Sequence, residues 1–158
     1  MTSEYQVFHF FNNPAHLKEI SALERASFVN PWSCESLSAE ILNPLNLTSI
    51  ISSKSATKPE ILGYSLTRII SPEAELLRVA VKPEVRGQGA ATKILAELLR
   101  KLIPLQVEKV YLEVSEKNLP AIALYQKAGF SNISYRPNYY DNGTTGALIF
   151  EIVVSNIT

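Results

Sequence analysis

The sequence predicts one α/β (α+β) domain in which a mixed, twisted β-sheet is covered by helices on both faces. Its 158 residues, 46% of them hydrophobic and 19% charged, suit a single domain with a sizeable core. Runs with strand-like spacing alternate with stretches of helical spacing. In the centre, residues 75–114 follow the order strand, helix, strand, which is typical of a right-handed parallel crossover. The predicted domain spans residues 1–158.

The first half of the chain predicts three strands and two helices. YQVFHFF favours a strand, and Pro14 then lies near the start of a helix. The apolar residues that roughly follow helical spacing there are Leu17, Ile20, Leu23, Ala26 and Phe28. Ser33 in NPWS is expected to cap a second helix that runs to about Leu42. LTSIISS and ILGYSLTRII then predict a hairpin around the polar loop 52–60.

The second half predicts four strands and two helices. The strand AELLRVAV leads through a glycine-rich turn into a helix that Pro104 ends. The predicted apolar stripe of this helix contains Ile94, Leu95, Leu98, Leu99, Leu102 and Ile103. EKVYLEV is a further strand, and a short helix follows from Pro120 to about Ala128, with Gly129 as its terminator. SNISYR and ALIFEIVV supply the two closing strands.

Composition argues against several classes of protein. Fifteen basic and fifteen acidic residues cancel, so no dominant nucleic-acid surface is expected. Cys34 is the single cysteine, which excludes an internal disulfide. The chain starts without the features of a signal peptide and has no apolar run of roughly 20 residues, so we expect a cytoplasmic protein without a membrane association. His9 and His16 lack further ligands at suitable spacing, and no metal site is predicted.

The stretch VRGQGAATKILAELL places glycine and alanine residues at the junction of a strand and a helix, so few side chains shield the backbone there. It lacks the Gly-Lys-Ser/Thr of a Walker loop and the third glycine of a dinucleotide fingerprint. Two interpretations remain. Either the glycines only allow the chain to turn, or the exposed N–H groups form a pyrophosphate site at the helix start. In the second, the amides of residues 87–91 and the charge of Arg86 would bind the phosphates.

Two blocks of sequence resemble a known family. RVAVKPEVRGQGAATKIL, followed by VYLEVSEKNLPAIALYQKAGF, resembles the acetyl-CoA core of the Gcn5-related N-acetyltransferase (GNAT) superfamily. Its pyrophosphate motif, Gln/Arg-x-x-Gly-x-Gly/Ala, is met by Arg86, Gly89 and Ala91. The second block, the later NYY and the NPWS turn are similar to the RimI family, which acetylates the N-terminal alanine of a small-subunit ribosomal protein. The resemblance implies a GNAT-like fold and acetyl-CoA as co-substrate.

The expected cofactor site follows from the parallel crossover and the resemblance. The strand ends near Val81 and Val114 should lie side by side at the C-terminal edge of the sheet, where such sheets bind ligands. The pantetheine arm is expected to bond to the backbone of Val79 and Val81, and Asn118 to cap its helix or to bond the pantetheine. The predicted cofactor-binding residues are Val79, Ala80, Val81, Arg86, Gly87, Gln88, Gly89, Ala90, Ala91, Asn118 and Tyr125.

Acetyl transfer to an amine needs a base for the amine and an acid for the departing thiolate. Glu113 is the candidate base, because Leu112 and Val114 should point to the opposite face of its strand. The alternative is a half-buried structural Glu paired with an Arg or Lys. Tyr125 is the candidate acid, on the resemblance, and the alternative is a core aromatic. Backbone N–H groups of residues 79–81 would stabilise the oxyanion, and Cys34 has no expected catalytic role.

The acceptor site is expected from the resemblance at Pro31, Trp32, Tyr139 and Tyr140, with ordinary turn packing as the alternative. NGTTGALIF lacks the acidic residue that often precedes the last strand in RimI-like chains, which leaves the acceptor open. The first hypothesis is acetylation of the N-terminal alanine of a ribosomal protein. The second is acetylation of a small amine or an internal lysine, and the third is an acyl-CoA-binding module without catalysis.

Overall fold

The computed structural model describes residues 4–55 and 57–157, which form seven strands and four α-helices in the predicted order. The strands are β1 (Tyr5–Phe11), β2 (Asn46–Ser53), β3 (Ile61–Ile70), β4 (Glu73–Val81), β5 (Lys109–Ser115), β6 (Ser131–Tyr140) and β7 (Thr145–Val153). The helices are α1 (Leu17–Ser27), α2 (Cys34–Leu42), α3 (Ala90–Leu102) and α4 (Leu119–Lys127). None of the helices in this part of the chain has the length and apolar character needed to cross a membrane.

The seven strands form one mixed sheet in the order β1-β2-β3-β4-β5-β7-β6. β4 and β5 are its parallel pair, but they pair only from Glu73 to Glu75 with residues 109–111. The expectation that the strand ends near Val81 and Val114 lie side by side is therefore wrong. Opposite β3, β4 carries one extra residue around Leu77, and such a bulge bends a strand. Because β5 stays paired with β7 along its length, β4 turns away from it.

Helices cover both faces of the sheet, as predicted. Ile50 on β2 packs in the cluster that contains the buried residues of α1 and α2, whereas Ile51 packs with the start of α3. Neighbouring side chains of a strand point to opposite faces of the sheet. Helices α1 and α2 therefore lie on one face, and α3 lies on the other. Both side chains are almost fully buried, and burial of each stabilises the fold by about 1.5–3 kcal/mol.

The helix ends follow the predicted local signals, with one correction. The Ser33 hydroxyl accepts the Ser36 N–H at 3.0 Å and caps α2, and Gly129 follows α4 with a left-handed φ of +103°. Ile103 does not belong to the apolar stripe of α3: the helix ends at Leu102, and the Ile103 side chain is half exposed. Ile103 keeps helical φ and ψ angles of −57° and −56°, and it is the C-cap residue from which the turn 103–106 begins.

Candidate active site

A cleft of about 560 Å³, which we call the central cleft, lies beside the end of β4, beyond the point where β4 stops pairing with β5. It is bounded by the end of β4, the glycine-rich turn, the start of α3 and the helix α4. Ten of the eleven predicted cofactor-binding residues line it, and the exception is Gln88. The Gln88 side chain folds back instead, and its amide donates to the Glu84 carbonyl at 3.0 Å. A second groove, of about 450 Å³, contains none of the predicted site residues.

The glycine-rich turn leaves the start of α3 open. Gly87 and Gly89 have left-handed φ angles of +75° and +85°, and a Cβ built on either would meet no atom within 4 Å. No side chain of the described residues caps Gly89, and the first turn of α3 carries no acidic residue. The cradle formed by this turn and helix start is therefore not filled by a side chain, and its amides lie at the positive end of the helix dipole, where anions bind. This geometry favours the anion-site interpretation over a purely steric turn.

We expect Gly89→Asn to weaken binding of coenzyme A by about tenfold or more, because the new side chain would fill the cradle and displace at least one charged hydrogen bond. Asparagine tolerates the left-handed conformation, so thermal stability should change little. Gly143→Asn is the matched control, since Gly143 has a similar φ of +84° but lies in the β6–β7 turn. Calorimetry measures both affinities. Wild-type affinity in Gly89→Asn would argue against a diphosphate at this turn.

Glu113 faces away from the buried side chains of Leu112 and Val114, as predicted. Its Oε1 lies 3.1 Å from Nη1 of Arg136, so the alternative of an Arg-paired carboxylate describes the geometry correctly. The side chains of Glu113 and Arg136 are 25% and 55% exposed. A pair this exposed is weak, and an incoming amine can compete for the carboxylate. The nearby Glu113 carboxylate also raises the pKa of Tyr139.

Tyr125 lies on α4 at the edge of the central cleft. Its ring packs against Phe130 and Phe150, with centroid distances of 5.9 and 6.5 Å, so it is partly the core aromatic of the alternative interpretation. Burial, and secondly the charge of Tyr140, raise the pKa of Tyr125 to about 12. The phenol is therefore protonated at neutral pH, and it is a weaker acid than a free tyrosine. Asn118 lines the same cleft and caps α4, accepting the Ala121 N–H at 3.3 Å.

Tyr139 and Tyr140 do not line the central cleft, and they lie where β6 is distorted. Between the pairs Arg136–Ala147 and Tyr140–Thr145, β6 contains two more residues than β7, and Asn138 adopts a φ of +56°. The two tyrosine rings meet edge to face at 4.9 Å. Burial and, secondly, the charge of Glu113 raise the pKa of Tyr140. Tyr140 in turn contributes to the raised pKa of Tyr125. Tyr140 thus lies near both candidate catalytic side chains, Glu113 and Tyr125.

Trp32 lies in the α1–α2 turn next to the exposed Pro31. The backbone of Trp32 is held by the buried carboxylate of Glu24. Oε1 of Glu24 accepts the Trp32 backbone N–H at 2.9 Å and pairs with Nη2 of Arg78, also at 2.9 Å. The Tyr64 hydroxyl donates to the other carboxylate oxygen. Sequence interpretation missed Glu24, Arg78 and Tyr64. The available signal was Arg78, a basic residue inside the apolar run LLRVAV, whereas Glu24 is one of several charged residues of α1 and is not distinguished by the sequence.

Comparison with known proteins identifies the class. Residues 17–130 match the Acetyltransferase (GNAT) family, so the chain belongs to that family and is an N-acetyltransferase. This family uses acetyl-CoA.

Particular relatives agree with the resemblance to the RimI family. The ribosomal protein bS18-alanine N-acetyltransferase of Haemophilus ducreyi is 30% identical over 118 residues, 75% of this chain and 78% of the relative. That of Escherichia coli (strain K12) is 34% identical over 95 residues, 59% and 64% of the two chains. The crystal structure of the Escherichia coli ribosomal-protein-S18-alanine N-acetyltransferase has the same fold, with a TM-score of 0.83 over 94% of both chains at 24% identity.

Proposed function

We propose that this enzyme transfers an acetyl group from acetyl-CoA to the N-terminal α-amine of a ribosomal protein that begins with alanine. The transfer is direct, within a ternary complex and without an acetylated enzyme. The observation that carries the proposal is the open helix start beside the end of β4, at the place where β4 has separated from β5, the strand that carries Glu113. The names of the relatives support the alanine acceptor. A ribosomal acceptor makes the enzyme cytoplasmic.

The residues of the central cleft are proposed to orient the co-substrate. The amides of residues 87–91 and the Arg86 side chain bind the diphosphate, and the backbone of Val79 and Val81 bonds to the amides of the pantetheine arm. In the described sheet, β4 beyond Glu75 has no ladder partner on the β5 side, which supports this assignment. Acetyl-CoA supplies the thioester carbonyl that the amine attacks.

Two side chains are proposed to move the protons. Glu113 accepts a proton as the amine attacks, directly or through water, and a C–N bond forms while the C–S bond breaks. Tyr125 donates its proton to the departing thiolate, and N–H groups of residues 79–81 stabilise the charge on the carbonyl oxygen. An α-amine has a reference pKa of about 7.7–8.0 against about 10.4 for lysine, so this carboxylate suits an N-terminus better.

The acceptor is proposed to lie on the face of the sheet that carries Glu113. Pro31 and Trp32 in the α1–α2 turn form one wall, and Tyr139 and Tyr140 form the other. The effect of Glu113 on the pKa of Tyr139 supports this second wall, because it indicates that an exposed aromatic side chain lies near the candidate base.

The single continuous sheet of seven strands supports treating residues 1–158 as one domain.

A substrate panel tests the acceptor. We expect acetylation of a peptide with the first residues of the cognate ribosomal protein S18, with the acetyl group on its N-terminal alanine. The same peptide with a blocked N-terminus and an internal lysine is the control, and a polyamine is the third substrate. Mass spectrometry locates the product. A kcat/KM for lysine or polyamine that equals or exceeds the value for the alanine peptide would contradict the proposal.

A further inference from the structure

The guanidinium of Arg78 is stacked between two aromatic rings. Its central carbon lies 4.2 Å from the ring centroid of Phe28 and 4.4 Å from that of Trp32, both within the range of a favourable cation–π contact. Phe28 also lines the central cleft, whereas Trp32 belongs to the proposed acceptor wall. Arg78 therefore connects the cofactor side of the site to its acceptor side.

A single buried carboxylate holds this stack in place. Glu24 has no exposed side-chain surface, and it binds the Arg78 guanidinium, the Trp32 backbone N–H and the Tyr64 hydroxyl. These partners belong to β4, the α1–α2 turn and β3. Arg78 follows the bulge at Leu77, which is where β4 leaves β5. Glu24 thus fixes the α1–α2 turn relative to the opening of the cleft.

We propose that Arg78 is a positioning residue for the acceptor, and that Glu24 acts through it. Arg78 fixes the plane of the Trp32 ring and so shapes the acceptor wall, while the diphosphate cradle remains independent of it. This inference rests on the proposed function in one respect, the assignment of Trp32 to the acceptor wall. It requires a planar cation at this position, because an ammonium group cannot stack on both rings at once.

Arg78→Lys tests the inference, since it keeps a charge beside Glu24 but removes the planar stack. We expect the acceptor KM to rise about tenfold, as the loss of one strong cation–π contact implies, with kcat and the acetyl-CoA KM within about twofold of wild type. Trp32 is the single tryptophan of the chain, so its fluorescence reports on the stack without any turnover. Acrylamide should quench it more strongly in Arg78→Lys.

Two further variants complete the experiment. Arg68→Lys is the matched control: Arg68 pairs with Glu40 on α2, away from the stack, and neither readout should change. Trp32→Leu keeps the Glu24–Arg78 pair and should raise the acceptor KM by a similar factor, with no further rise when it is combined with Arg78→Lys.

The outcomes separate this inference from the proposed function. An active wild type together with an unchanged acceptor KM and unchanged quenching in Arg78→Lys would overturn the inference alone. Equal changes in the acceptor KM and the acetyl-CoA KM would also overturn it, because Arg78 would then act on the whole cleft. A wild type that transfers acetyl groups to no peptide would overturn the proposed function and the acceptor role of Arg78 with it.

Discussion

Glu113→Gln is expected to lower kcat by about 10²–10⁴, the usual contribution of general acid–base catalysis. The amide keeps the shape of the side chain but cannot accept the amine proton. Because Glu113 does not line the central cleft, the affinity for coenzyme A should not change. Steady-state kinetics with the alanine peptide and calorimetry with coenzyme A measure the two quantities.

The pH dependence of this defect distinguishes loss of a base from loss of structure. The free α-amine has a reference pKa of about 7.7–8.0, so it deprotonates without help above that range. The ratio of wild-type to Glu113→Gln activity should therefore fall as pH rises from 7 to 9. Glu151→Gln is the control, because Glu151 is another partly buried carboxylate of the sheet, 3.4 Å from Lys109, and should be dispensable. Full turnover by Glu113→Gln would remove Glu113 from the mechanism.

Arg78→Met is expected to lower the free energy of unfolding by about 3–5 kcal/mol, the usual cost of leaving one member of a buried ion pair without its partner. Glu24 would remain as a fully buried carboxylate with two neutral donors. Glu24→Gln should cost less, because the Arg78 side chain is 19% exposed and can reach water. Urea denaturation of the two variants measures this asymmetry.

The double variant Glu24→Gln/Arg78→Met separates pairing from packing. Replacement of both charges by neutral groups of similar volume is often close to neutral for stability, so the double variant should recover most of the loss in Arg78→Met. Additive losses would show instead that the two side chains contribute independently. Lys82→Met, which breaks the more exposed pair with Glu60, is the control and should cost well under 1 kcal/mol.

The order of strands and helices was predictable because it depends on local signals. Periodicity, the Ser33 cap, Gly129 and the bare stretch before α3 each act within a few residues. The pairing of β4 with β5 was predicted correctly as parallel, but its short extent was not. That extent depends on the bulge near Leu77, which is defined by the register against β3 and leaves no local sequence pattern.

The candidate site was predictable where a motif carried it and hidden where contacts between distant segments built it. The turn residues and Tyr125 lie around one cleft, as the resemblance implied. The contacts of Glu113 with Arg136 and Tyr139 depend on how β6 distorts around Asn138. Glu24 and Arg78 lie far apart in the sequence, so their pairing could not be inferred from spacing.

The central claim is that the separation of β4 from β5 creates one site that binds acetyl-CoA on one side and the acceptor amine on the other. A crystal structure of the enzyme with coenzyme A and an alanine-initiated peptide tests it most directly. We predict diphosphate oxygens on the amides of residues 87–91, the sulfur beside Tyr125, and the peptide amine within hydrogen-bond reach of Glu113. Coenzyme A bound outside the cleft, or a peptide amine remote from Glu113, would contradict the account.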